Sequence, residues 1–184
     1  DFATSNSYVP IVSSLDVPQI ALDQAREVSG RASIATVGKY VFIADEVFPS
    51  SAVRGAKDAS AFRAYGRMQV IDVSDLKQPK SVAFYEPEHG GVHNIWVAGD
   101  TLYMGAYSAG FRAFDISGEL KGDLRAQQRE MVHVHTADLD GKVQNSAMTW
   151  GVVVRDGLAY VNDMYNGLWI VRMEPRREEK VLTP

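Results

Sequence analysis

Gly66-Arg67-Met68-Gln69-Val70-Ile71-Asp72-Val73-Ser74 is one strand, and the chain writes it again as Gly110-Phe111-Arg112-Ala113-Phe114-Asp115-Ile116-Ser117 and as Gly167-Leu168-Trp169-Ile170-Val171-Arg172-Met173. Working outward, each copy follows an apolar strand rich in aromatics: Tyr40-Val41-Phe42-Ile43-Ala44-Asp45, Leu102-Tyr103-Met104-Gly105-Ala106-Tyr107 and Leu158-Ala159-Tyr160-Val161-Asn162-Asp163. A further strand precedes each pair, in Ala32–Val37, His93–Ala98 and Trp150–Val154. The joints between first and second strands are Gly38-Lys39, Gly99-Asp100 and Asp156-Gly157, residues that tolerate the positive φ of tight hairpins. Such units, repeated at tens of residues, specify a β-propeller or a β-solenoid.

Strand content decides between the two. The first unit places strands at 31–37, 40–46, 67–73 and 80–85, and the second at 92–98, 101–107, 110–116 and 129–135. Four antiparallel strands are the content of one propeller blade. The third unit places strands at 150–154, 158–163 and 167–173, and its fourth is either the short Val181-Leu182-Thr183 or missing. Two insertions make the spacing unequal: 48–65, read as a surface loop, and 118–128, read as a short helical turn. The expectation is therefore all-β and β-propeller-like, with about three four-stranded antiparallel blades (30–87, 92–137 and 147–184) behind a leading arm at 1–29. Closed propellers need about four to eight blades, so three read as the C-terminal part of a larger propeller.

Val70-Ile71-Asp72-Val73-Ser74-Asp75-Leu76-Lys77-Gln78-Pro79 closely resembles the strand and turn that define the LVIVD-repeat proteins, and Asp115-Ile116-Ser117, His93–Val97 and Met148–Gly151 through Trp169 look like further copies of it. The resemblance covers roughly 30–174. It implies propeller blades on a secreted or envelope-associated bacterial protein, with an export signal or anchor upstream of Asp1, and it implies no shared catalytic motif. The third copy departs from the pattern, having Arg172-Met173 in place of Asp-Val, so the aspartate that caps the turn is missing there.

Composition narrows the function classes. A net charge of −4 lacks the basic face of a nucleic-acid binder. No run approaches the roughly 18–20 apolar residues of a membrane-spanning helix. With no cysteine, disulfides, thiolate metal sites and thiol nucleophiles are all excluded. Gly-rich phosphate loops and Gly-x-Ser-x-Gly are absent. Asp138-Leu139-Asp140-Gly141 resembles the opening of a calcium loop, but Lys142 and Thr149 stand where ligands are required; it reads as a turn.

The residues left to carry chemistry are few. Glu86, Glu88, His89 and His93 crowd one connection and are the weak candidates for a metal, which needs several N or O ligands on one point. Loop composition explains them as well, and neither a metal nor a cofactor is assigned. His133 and His135 alternate on a fourth strand, so they share one face, which reads as solvated. Most of the aromatics are inter-blade packing. Tyr107, Met164 and Tyr165, at loop ends, are the candidates for an interface, where Tyr and Met are enriched.

The function class these residues favour is a non-enzymatic binding or scaffolding module of the bacterial cell envelope, periplasmic or extracellular, of the kind that serves as an accessory subunit of a respiratory or photosynthetic membrane complex. The alternative is a hydrolase or oxidoreductase with a metal-dependent site in the propeller channel. Val70, Ile71, Phe114, Ile170 and Val171 are expected to be buried. A face near Tyr160, Trp169 and Val171, or one near Tyr40, Phe42 and Val70, is expected to dock on another polypeptide or on further blades.

Overall fold

The computed structural model describes residues 32–46 and 66–174, so the leading arm, the 48–65 insertion and Val181–Thr183 lie outside the described residues. Among the described residues the chain is all-β, with no helix, and none is therefore long and apolar enough to cross a membrane. The first sheet runs β1 (Ala32–Val37), β2 (Tyr40–Asp45), β3 (Met68–Asp72), β4 (Lys80–Tyr85). The second is β5 (Ile95–Ala98), β6 (Thr101–Gly105), β7 (Phe111–Asp115) and, across an insertion containing β8 (Gly122–Asp123), β9 (Glu130–Val134). The third is β10 (Thr149–Arg155), β11 (Leu158–Asp163) and β12 (Gly167–Arg172). Apart from β8, which joins the first sheet beside β4, each sheet is an antiparallel meander, the arrangement of a propeller blade.

Turn chemistry sets the register. Gly38 (φ 55°) and Gly99 (φ 57°) take the left-handed conformation at the first of two loop residues, and Asp156 (φ 51°) and Gly157 (φ 74°) take it at both. These are the primed turns that match strand twist. The Asp72 and Asp115 carboxylates close the next corner, accepting the Ser74 and Ser117 N–H groups at 2.8 Å each. Hydrogen bonds from the Ser74 hydroxyl and N–H, reinforced by Lys39, hold Asp72 down to a pKa of about 2.

Because pleating alternates side chains, each sheet has two apolar faces, and the core lies between sheets. Phe42, Met68, Val70, Ala83 and Tyr85 of the first sheet pack on Leu102, Met104 and Phe114 of the second. Tyr103, Phe111 and Ala113, on the other face of the second sheet, pack on Val152, Ala159, Val161, Trp169 and Val171 of the third. Arg112 and Glu130 (2.5 Å) brace the first interface, since both also hydrogen-bond the Tyr85 hydroxyl at 3.0 Å.

Three expectations are corrected, beside one that holds. The 118–128 insertion makes the single turn expected, closed by the Gln127 N–H donating to the Asp123 carbonyl (3.1 Å), while Gly118 (φ 68°) and Gly122 (φ 63°) are left-handed and Leu120 and Leu124 plug the first interface. Its β8 pairs with β4 in parallel, an exception to the expected antiparallel pairing. Ile170 is 60% exposed, and Ile71 and Val171 are only half-buried, whereas Val70 and Phe114 are buried. The expected docking faces were drawn in part on the wrong residues: Tyr160 stands opposite Ile170 on the bare outer face, but the others do not. Tyr40, Phe42 and Val70 face the second sheet, as Trp169 and Val171 do from the other side. Apolar side chains occur on both parities of these strands, so alternation alone does not say which parity is covered.

Candidate functional site

Of the four residues grouped at 86–93, the structure sends only His93 inward. Glu88 pairs with Arg125 at 2.5 Å at the surface, and Glu86 and His89 are exposed. Among the described residues, no three His, Asp or Glu side chains converge as a metal would require. His93 is 8% exposed and stacks on Trp150 (ring centroids 5.4 Å apart, 4° between planes), while its edge meets Tyr107 at 5.2 Å. Its Nε2 lies 3.7 Å from Glu46, whose carboxylate accepts the Tyr107 hydroxyl.

This cluster draws on all three sheets: Glu46 follows β2, His93 precedes β5, Tyr107 follows β6 and Trp150 lies in β10. Backbone ties cross the same point, with the Tyr107 N–H donating to the Thr149 carbonyl (2.9 Å) and the Asn94 N–H to the Trp150 carbonyl (3.1 Å). Tyr107 has φ 48°, a strained conformation for a bulky residue; such strain persists only where the surroundings over-determine it. It is 1% exposed, so the expected interface role does not fit its position. Met164 is 44% exposed and Tyr165 half-buried. Glu46 and Trp150 were not legible as partners of His93, because nothing in their local sequence marks them.

His133 on β9 and His135 just beyond it are exposed, as read. Partial burial, together with the Arg112 charge, keeps His133 below the ordinary histidine pKa. Sequence reasoning missed Asp163, which is 1% exposed at the end of β11. One oxygen accepts from Thr136 Oγ1 (2.7 Å), the Met148 N–H (2.8 Å) and Thr149 Oγ1 (3.3 Å). The other accepts from the Tyr165 and Asn166 N–H groups (2.8 and 3.0 Å) and Asn166 Nδ2 (3.1 Å). A carboxylate so fully satisfied organises the β11–β12 turn and leaves no lone pair for chemistry.

The surface feature that stands out lies on β12. The ladders make Met68, Phe111 and Leu168 equivalent, and likewise Val70, Ala113 and Ile170. In the first two sheets all four residues are 0% exposed beneath the next sheet; Leu168 and Ile170 are 64% and 60% exposed. Val153 (48%) extends the bare face on β10, and the half-buried Tyr160 lies between.

The fold is thus a set of propeller-like, all-β repeats, joined by apolar faces and by a buried polar cluster. The LVIVD repeat family signature matches residues 146–171. The chain carries an LVIVD repeat there, spanning most of the third sheet. No curated protein matches the chain.

Proposed function

We propose that this chain is a non-enzymatic binding or scaffolding module, part of a larger propeller of the bacterial cell envelope, whose third sheet docks on another protein or on a further blade. The observation that carries the reading is the contrast at equivalent positions, where Leu168 and Ile170 are bare and Met68, Val70, Phe111 and Ala113 are covered. Contiguous exposed apolar side chains on a folded protein mark interaction sites. The buried carboxylates Glu46 and Asp163 are engaged in holding sheets and turns together, which suits a scaffold. The envelope location rests on the family resemblance, and the role of accessory subunit in a membrane complex is one form of the same reading.

A photo-crosslinking amino acid at position 170, in cells that naturally express the protein, tests it. The expected result is a single discrete adduct with another polypeptide or with a distant part of the same protein, lost when Leu168→Asp is added. Absence of any adduct in a folded, expressed protein overturns the reading.

A further inference from the structure

We infer that Asn166 is a deamidation site, shielded while the β11–β12 turn is closed, and that a chain modified there does not close the turn again. Asn166 is the one asparagine of the chain that precedes a glycine. With no Cβ on Gly167, the backbone nitrogen that must attack the asparagine side chain is unhindered. Asn166 is half-buried and Gly167 exposed, where the chain turns from β11 into β12.

The reaction is an acyl transfer within the chain. The Gly167 nitrogen forms a bond to Asn166 Cγ and closes a succinimide ring; the Cγ–Nδ2 bond breaks, and ammonia leaves with the proton that the Gly167 N–H gives up. Water then opens the ring at either of its carbonyls, leaving aspartate or isoaspartate.

In the closed turn the leaving group is held. Asn166 Nδ2 donates to the Thr136 carbonyl (2.6 Å), the Ser146 carbonyl (2.8 Å) and Asp163 Oδ1 (3.1 Å), and the Asn166 N–H donates to the same Asp163 oxygen (3.0 Å). Among the described residues no donor reaches the buried Oδ1, so nothing polarises Cγ for attack. The side chain must leave these acceptors before Cγ can meet the Gly167 nitrogen, and that takes a local opening of the turn.

The same contacts reject the product. Aspartate at 166 sets an oxygen, in place of a donor, against the Thr136 and Ser146 carbonyls and the Asp163 carboxylate, which is itself 1% exposed. Its other oxygen inherits the buried place of Oδ1. A buried charge without a partner is costly, and a second carboxylate beside it adds repulsion. Isoaspartate instead adds a methylene to the main chain between Asp163 and Gly167, which stand opposite each other at the end of the β11–β12 ladder. Deamidation thus makes a transient opening of the third sheet permanent, whatever docks on that sheet.

The test follows the full chain by peptide mass spectrometry during incubation at mildly alkaline pH, native in one sample and unfolded in urea in another. Deamidation at Asn166 is expected in the unfolded chain and is expected to be at least about tenfold slower in the native one, because the hydrogen bonds that hold Nδ2 must break first. Hydrogen exchange of residues 158–172 is then read in Asn166→Asp and Asn166→Ser. Serine keeps a donor and brings no charge, so it is expected to retain the protection of β11 and β12 that aspartate loses. Equal rates in the native and unfolded chain, no deamidation at Asn166 in urea, or equal protection in the two variants overturns the inference.

Discussion

Met68 and Leu168 hold the same place in the repeat and differ above all in how they are covered, so replacing each with alanine compares the two environments. Met68 is 0% exposed between the first and second sheets. Its truncation removes buried methylenes and leaves a cavity, a loss of about 2–5 kcal/mol. Full burial of a leucine stabilises by about 1.5–3 kcal/mol, and Leu168, at 64% exposed, realises roughly a third of that. With no cavity to open, Leu168→Ala is expected to cost about 0.5–1 kcal/mol. Urea unfolding of the two variants and the parent, followed by tryptophan fluorescence, reads both values as midpoint shifts at constant slope. If the two substitutions cost the same within about 0.5 kcal/mol, the third sheet's outer face is covered in solution and the contrast on which the binding reading stands is lost.

Two further outcomes follow from the same packing. A Cβ on Gly105 would meet the Trp150 carbonyl oxygen at 2.5 Å and its carbon at 2.8 Å; Gly105→Ala therefore forces β6 from β10 and is expected to cost about 1–3 kcal/mol, and an unchanged urea midpoint would show that the two strands are not in contact. Burial, reinforced by the Glu130 carboxylate and opposed by Arg112, pushes the Tyr85 phenol up to about 12. Its folded pKa lies above the unfolded value of about 10, so the neutral phenol's contribution is fully present below about pH 10 and is lost as pH rises toward about 12; Tyr85→Phe is expected to flatten that decline in stability, and an identical pH slope in the variant would refute the shift.

The strands and their grouping into three sheets were legible because hairpins declare themselves locally. A two-residue joint of Gly-Lys, Gly-Asp or Asp-Gly between apolar runs sets both register and sense, and the observed bounds of β2, β4 and β11 follow the readings within a residue. That the 118–128 insertion pairs with β4 and plugs the first interface with Leu120 and Leu124 was not legible, because those contacts join segments remote in sequence.

Which face of each strand is covered belonged to the tertiary structure. Val70 and Ile170 are near-identical in chemistry and equivalent in register, yet one is buried and the other bare. Burial depends on the next sheet, and that sheet is remote in sequence. The same holds for the meeting of Glu46, His93, Tyr107 and Trp150, brought together from four connections and strands by the stacking of three sheets. The sequence by itself determined the repeat, its turns and its strand order, because these rest on interactions between near neighbours. The site and the open face were decided only when the sheets packed, because they rest on contacts between sheets far apart in the chain.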